Sequence, residues 1–171
     1  MTAAVTTTAP GGPVAAELPF FVYGTLLPGE PNHDLFLRGR TAGERPAVLP
    51  RALLYNGPGY PYAIEGHGRV HGTLLVAAPG VYGELLGLLD RLEEFLGPGH
   101  PRNLYERVVR EVELPARGAP AGGESVRAWV YLAAAAVTRS LRTGGVLIPE
   151  GRWTRSSLSG DRGRNPGGGE R

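Results

Sequence analysis

Chemistry in this chain must rest on carboxylates, tyrosines and backbone amides, because the usual nucleophiles are missing. The sequence contains no cysteine and no lysine, and the only serines between residues 19 and 154 are Ser125 and Ser140. The missing cysteines exclude thiol catalysis and Cys-ligated metal sites, and the missing lysine excludes a phosphate-binding P-loop. Neither serine lies in a G-x-S-x-G motif, which argues against a serine hydrolase.

Glu93 is the acidic residue in the most unusual position. It lies in the segment 81–96, which is preceded by Pro-Gly and followed by Gly-Pro-Gly and is predicted to be a helix. At about 100° per residue, Glu93 falls inside the arc of leucines, whereas Glu94 faces away. A carboxylate against apolar surface needs hydrogen-bond donors or a raised pKa, and both suit a general acid or base. The alternative is a side chain that reaches water or pairs with Arg102 or Arg107.

The second candidate is Tyr23-Gly24-Thr25-Leu26, where a short apolar strand enters a loop. Gly24 tolerates either sign of φ and a close backbone approach, so the amides of residues 24–26 could bind an anion as a small nest. The alternative is an ordinary strand-to-loop turn with a half-buried tyrosine.

The histidines do not suggest a metal site. None of the four forms an i, i+4 pair on a predicted helix, and no H-E-x-x-H motif is present. His67 and His71 are four residues apart, but the glycines around them predict a turn. We therefore expect neither a metal nor a cofactor.

The positive charge is poorly placed for nucleic acid. The chain carries a formal net charge of +2, and residues 155–171, with four Arg against Asp161 and Glu170, account for all of it. A nucleic-acid-binding protein needs a basic patch on its folded surface. No secretory signal and no apolar run of about 20 residues is present. We expect a cytoplasmic protein, monomeric or weakly dimeric, without a nucleic-acid or membrane partner.

The elements that must position these residues lie between residues 19 and 154. Residues 1–18 and 155–171 lack an apolar pattern and are predicted to be disordered. Strand-like segments outnumber helices in the remainder: 19–23, 47–55, 70–77, 105–114 and 126–132. This excludes a doubly wound sheet and predicts a small barrel or curled sheet with helices packed outside.

Several landmarks follow one another in a fixed order along residues 19–154. They are Y-G-T-L at 23–26, a loop with Gly29, Asn32 and His33, L-D-x-x-E at Leu89, Asp90 and Glu93, and Tyr105-x-Arg107. This order resembles the gamma-glutamylcyclotransferase family, and most of all its compact Y-G-T-L members, which are associated with γ-glutamylamines.

The resemblance implies an α+β fold, a small mixed or antiparallel β-barrel with flanking helices. It also implies an intramolecular aminolysis, in which the α-amine of a γ-glutamyl compound attacks its own γ-carbonyl, closes 5-oxoproline and expels an amine. Glu93 would transfer the protons, the amides of residues 24–26 would hold the substrate, and Tyr23 and Tyr105 would wall the pocket. The substrate would supply the nucleophile that the chain lacks.

One position departs from the family pattern. The family usually has glycine after the catalytic glutamate, and this chain has Glu94. The L-D-x-x-E spacing and the position on the helix both favour Glu93 as the catalytic residue. Two other interpretations stay open: a non-catalytic module that binds a small acid on the same barrel, and an interaction protein that acts through residues 155–171. The leaving amine is also open, because close relatives remove γ-glutamyl groups from antibiotic intermediates.

Overall fold

The computed structural model describes residues 17–115 and 123–154. The predicted disorder of residues 1–18 and 155–171 lies, apart from residues 17 and 18, outside these ranges. Within them the chain forms five strands, β1 (Phe20–Val22), β2 (Thr41–Asn56), β3 (Pro61–Ala77), β4 (Tyr105–Leu114) and β5 (Glu124–Ala133). It also forms two α-helices, α1 (Tyr82–Leu92) and α2 (Ala135–Gly144), a π-helical turn at His33–Leu37 and a 3₁₀ turn at Pro149–Gly151.

The strands close into a barrel in the order β1-β3-β2-β4-β5. The pair β1 and β5 is parallel, and the other neighbouring pairs are antiparallel. The long hairpin of β2 and β3 makes most of the wall, whereas β2 meets β4 at one pair, Val48 opposite Glu113. The α+β fold with a mixed barrel and flanking helices is therefore confirmed.

The short strand β1 is buried on both faces because it separates two apolar clusters. Phe21 belongs to a cluster that takes side chains from all five strands and fills the barrel. Phe20 and Val22 point the other way, as side chains on a strand alternate, and join a cluster that includes Leu85 and Leu89 of α1. Helix α1 thus packs on the outside of the barrel next to the end of β1.

Several elements differ from the sequence prediction: β2 begins at Thr41 rather than at residue 47, and α1 ends at Leu92 rather than at residue 96. Strand β3 begins at Pro61 rather than at residue 70, because Gly66 and Gly68 are strand residues and not a turn. A Cβ on either glycine would lie within 3 Å of the Leu53 side chain, so the absence of a side chain at these positions leaves room for Leu53 to pack against the β3 backbone. Helix α2 was not predicted, since few of its residues are strongly apolar and none of them is fully buried.

None of the helices in the described ranges combines the length and apolarity needed to cross a membrane.

Candidate active site

A cavity of about 540 Å³ opens beside α1 where β1 ends. It is lined by all the predicted site residues, namely Tyr23, Gly24, Thr25, Leu26, Glu93 and Tyr105. These residues come from the exit of β1, the end of α1 and the start of β4. Segments about 70 residues apart in the chain thus share one concave surface, which is where a small ligand is most often bound.

The end of α1 gives Glu93 and Glu94 different surroundings. The N–H of Glu94 donates to the carbonyl of Arg91 (3.2 Å), and the N–H of Phe95 donates to that of Asp90 (2.8 Å). These two bonds are those of a Schellman motif, which ends a helix with one residue in the left-handed conformation. That residue is Glu94, with φ 53°. A side chain there costs about 1–2 kcal/mol relative to glycine.

Glu93 keeps a nearly helical backbone, with φ −92° and ψ 3°, and its side chain is partly buried in the cavity. Burial raises the pKa of the Glu93 carboxyl to about 7. The negative end of the helix dipole works in the same direction. Within the described residues Glu93 forms no salt bridge, and Arg107 pairs with Asp90 instead. The carboxyl can therefore gain or lose a proton near neutral pH.

The loop after β1 presents backbone donors to the same cavity. Within the described residues, Gly24, Thr25 and Leu26 donate no backbone hydrogen bond, whereas the carbonyl of Gly24 accepts one from Leu27 (3.0 Å). Gly24 rests on Pro61, since a Cβ on Gly24 would lie 2.8 Å from the Pro61 Cδ. N–H groups without an acceptor on such a turn are donors of the kind that bind an anion or a developing oxyanion.

Buried tyrosines form the wall between these two features. The Tyr23 hydroxyl donates to the carbonyl of Tyr131 (2.5 Å) and accepts from the N–H of Ala63 (3.2 Å). The Tyr105 hydroxyl donates to the carbonyl of Pro61 (2.7 Å). Burial, followed by nearby negative charge, raises the pKa of both hydroxyls. They remain neutral, so neither tyrosine acts as a base.

A charged network supports the wall from behind. Asp90 accepts hydrogen bonds from Nε of Arg107 (2.8 Å) and from the Tyr131 hydroxyl (2.5 Å). The Arg107 guanidinium lies over the rings of Trp129 (4.3 Å) and Phe95 (5.1 Å). Asp90 and Arg107 thus hold α1 against β4 and β5. These two residues belong to the L-D-x-x-E and Tyr-x-Arg landmarks, whose spacing reflects this contact.

Of the cavity residues that were not among the predicted site residues, five carry a polar or charged side chain: Asn32, Tyr60, Arg91, Glu94 and Tyr131. Tyr131 lies on the face of β5 opposite Ala128 and Val130, in a run where residues 130–133 are all buried, so alternation alone does not mark it. Tyr60 lies in a loop and Asn32 is the N-cap of the turn at His33–Leu37, and the apolar period gives no direction at either position. Taken as a whole, the site can exchange a proton at Glu93 and hold an anionic group on the turn at residues 24–26.

Comparison with known proteins gives one family over the barrel. A family model described as gamma-glutamyl cyclotransferase, AIG2-like, matches residues 20–155. A protein of Niallia circulans, named gamma-L-glutamyl-butirosin B gamma-glutamyl cyclotransferase, is 37% identical over 92 residues. The match covers 54% of this chain and 56% of that protein, so this chain spans little more than half the relative's length.

Solved structures share the fold. A crystal structure of an AIG2-like protein from Mus musculus has a TM-score of 0.50 at 24% identity, over 68% of this chain and 77% of the mouse chain. A solution structure of a protein from Arabidopsis thaliana has a TM-score of 0.55 at 24% identity, over 91% of this chain and 77% of the plant chain. At this identity the likeness shows the fold alone.

Proposed function

The chain belongs to the AIG2-like gamma-glutamyl cyclotransferase family, and from that premise we propose that it cyclises a γ-glutamyl amine to 5-oxoproline and the free amine. Glu93 is the general acid and base of this reaction. The turn at residues 24–26 binds the anionic end of the glutamyl group, and Tyr23 and Tyr105 enclose its chain.

The observation that carries the proposal is the pairing of Glu93 with free backbone donors across one cavity. A carboxyl with a pKa of about 7 is half ionised near neutral pH, where a proton shuttle is most effective. Unpaired N–H groups suit a carboxylate or an oxyanion. Cyclisation needs both, and it needs no nucleophile from the protein.

The proton balance follows from the chemistry of the substrate. The Glu93 carboxylate takes a proton from the α-ammonium, and the freed amine attacks the γ-carbonyl carbon to form the C–N bond of a five-membered lactam. The bond from that carbon to the leaving nitrogen then breaks, and Glu93 returns this proton to the departing nitrogen. The second proton of the attacking nitrogen passes through the ionised Glu93 carboxylate to the released amine, which leaves as an ammonium ion, so the lactam nitrogen keeps one hydrogen and Glu93 is again a carboxylate. Holding the glutamyl chain in its folded conformation supplies a large share of the acceleration, on the order of 10⁵ M in effective molarity.

The amine side of the substrate is the less defined part. A cavity of about 540 Å³ is of the size that holds a small molecule. The Niallia circulans relative is named for a γ-L-glutamyl-butirosin, so its substrate carries a large amine. We propose a γ-glutamyl derivative of an amine or amino acid. Cytoplasmic location, a monomeric or weakly dimeric state and the lack of cofactor, nucleic-acid or membrane partners stay predictions.

The test is release of 5-oxoproline from four compounds: γ-glutamyl-ε-lysine, a γ-glutamyl-amino acid, glutathione and a γ-glutamylated aminoglycoside. Wild type should cyclise at least one, and Glu93→Gln should lower its kcat/KM by about 10²–10⁴-fold. Glu111→Gln, which removes an exposed carboxylate from β4, is the matched control. Equal release by Glu93→Gln and wild type would exclude Glu93 as the catalytic residue. Tight binding of the compounds without any release would favour a binding module.

A further inference from the structure

We infer that Glu94 and Tyr60 bind a positive charge on the leaving amine, so that γ-glutamyl diamines are cyclised in preference to neutral γ-glutamyl alkylamines. The inference rests on the proposed function and adds a specificity-determining pair to it. Both residues line the cavity, and neither takes part in the proposed proton transfer.

The backbone at Glu94 favours a different residue. Its φ of 53° lies in the left-handed region, which glycine adopts without steric penalty. The Schellman motif needs that conformation for the helix end but does not need a side chain. A carboxylate is nevertheless present, directly after the proton-transfer residue and on the lining of the same cavity. Strain of this kind is retained where the side chain has a use.

The charge of Glu94 is available to a ligand. Its side chain is exposed, and within the described residues it forms no salt bridge. Arg91 also lines the cavity, but its Nη1 lies 3.4 Å from the position that a Cβ on Gly87 would occupy, one turn back along α1. The guanidinium of Arg91 thus lies over the preceding turn of α1, and among the described residues it forms no salt bridge with Glu94. Asp90 occupies the other close guanidinium, that of Arg107.

Aromatic rings line the same cavity as Glu94. Tyr60 is one of the lining residues, and its ring is 5.7 Å from that of Tyr62 and 6.3 Å from that of Tyr105. Burial raises the pKa of the Tyr62 hydroxyl most, and the charge of Glu94 adds to the increase, in keeping with the shared cavity. A carboxylate and a tyrosine ring that line one cavity can together bind an ammonium group.

The position along the substrate follows from burial. Glu93 is partly buried and reaches the α-ammonium of the glutamyl group, whereas Glu94 is exposed at the solvent side of the cavity. A cation held by Glu94 must therefore lie beyond the γ-carbonyl, on the amine that leaves. An alkyl diamine acylated at one end carries its free ammonium there.

The experiment compares kcat/KM for γ-glutamyl-1,5-diaminopentane and γ-glutamyl-n-pentylamine, which differ only in the terminal ammonium. Wild type should favour the charged compound by about fivefold to tenfold, the scale of a partly exposed charge pair with an aromatic contact. Glu94→Gln and Glu94→Gly should bring the ratio close to one. Tyr60→Leu should lower the ratio of the two kcat/KM values in part. High salt should reduce the preference of wild type for the charged compound.

Glu94→Gly is the variant that controls for misfolding, because glycine adopts the left-handed backbone at that position without strain. Glu111→Gln removes a negative charge elsewhere and should keep the wild-type ratio. If wild type cyclises both compounds and neither Glu94 variant changes the ratio, the inference is wrong and the proposed function stands. If wild type releases 5-oxoproline from neither compound nor from the four tested above, the proposed function fails and the inference fails with it.

Discussion

The Glu93 carboxyl should make the protein less stable as the pH rises, and glutamine at this position should remove that effect. Burial favours the neutral acid in the folded state, so folding raises the pKa from 4.5 to about 7. The neutral acid contributes its full stability below pH 4.5 and loses it as the pH rises through 7. Glutamine has the shape of the neutral acid at every pH.

The size of the effect follows from the two pKa values. A raised pKa is worth about 1.4 kcal/mol for each unit, so the change from 4.5 to about 7 corresponds to an upper value of about 3 kcal/mol. Glu93 keeps partial contact with water, and we therefore expect about 2–3 kcal/mol above pH 8. For a domain of this size that is roughly 10 °C in Tm.

The assay is urea unfolding of wild type and Glu93→Gln between about pH 4.5 and pH 9, with linear extrapolation to water. Trp129 and Trp153 lie in the folded domain and report unfolding by fluorescence. The two proteins should be equally stable at about pH 4.5, and the variant should be more stable by about 2–3 kcal/mol at pH 8.5. Glu111→Gln should follow wild type across the range.

Activity should move in the opposite direction. Because the carboxylate is the form that accepts the first proton, kcat/KM of wild type should rise with pH through about 7 while its stability falls. A difference in unfolding free energy between wild type and Glu93→Gln that is constant from pH 5 to pH 9 would refute the desolvation of Glu93. A wild type more stable than the variant at pH 8.5 would refute it as well.

Two further substitutions test the supports of the site. Gly24→Ala places a Cβ 2.8 Å from Pro61 Cδ, so it should lower the free energy of unfolding by about 1–3 kcal/mol and raise KM. Gly83→Ala, where a Cβ would have nothing within 4 Å, is the control and should have neither effect. An unchanged Tm in Gly24→Ala would exclude the Gly24 contact. Asp90→Asn leaves the half-buried Arg107 without its anion and should lower the free energy of unfolding by about 2 kcal/mol, as measured by urea titration. A loss below about 0.5 kcal/mol would mean that water screens the charges of the pair.

The helix α1 illustrates how far the sequence could predict the site. The apolar period placed Glu93 on the packed face, and the structure has it on the cavity wall because its φ of −92° still continues the helix. The same period was wrong for Leu96, which is 57% exposed. The left-handed residue Glu94 changes the direction of the chain after the helix. A helical projection that assumes about 100° per residue as far as residue 96 cannot predict that turn. Only a glycine at 94 would have marked it, and this chain lacks one.

Periodicity was also insufficient for the hairpin and the cavity wall. Gly66 and Gly68 have the composition of a turn, but the packing of Leu53 against their bare backbone keeps them in β3. Tyr60 and Asn32 reach the cavity only because the barrel closes and brings the β2–β3 connection and the turn after β1 together. Such contacts depend on long-range pairing of strands, and no local pattern of residues encodes them.

The buried tyrosines of the cavity wall explain why the pKa of Glu93 lies near neutral pH. Each hydroxyl of Tyr23, Tyr105 and Tyr131 is bonded to a protein acceptor, respectively the carbonyls of Tyr131 and Pro61 and the carboxylate of Asp90. None of these protons is then free to stabilise an ionised Glu93, and the buried rings limit its contact with water. A wall that offered its hydroxyls to Glu93 would lower the pKa of the carboxyl and make the carboxylate a weaker base. The internal bonds of the wall therefore serve the proposed proton transfer as much as they serve the fold.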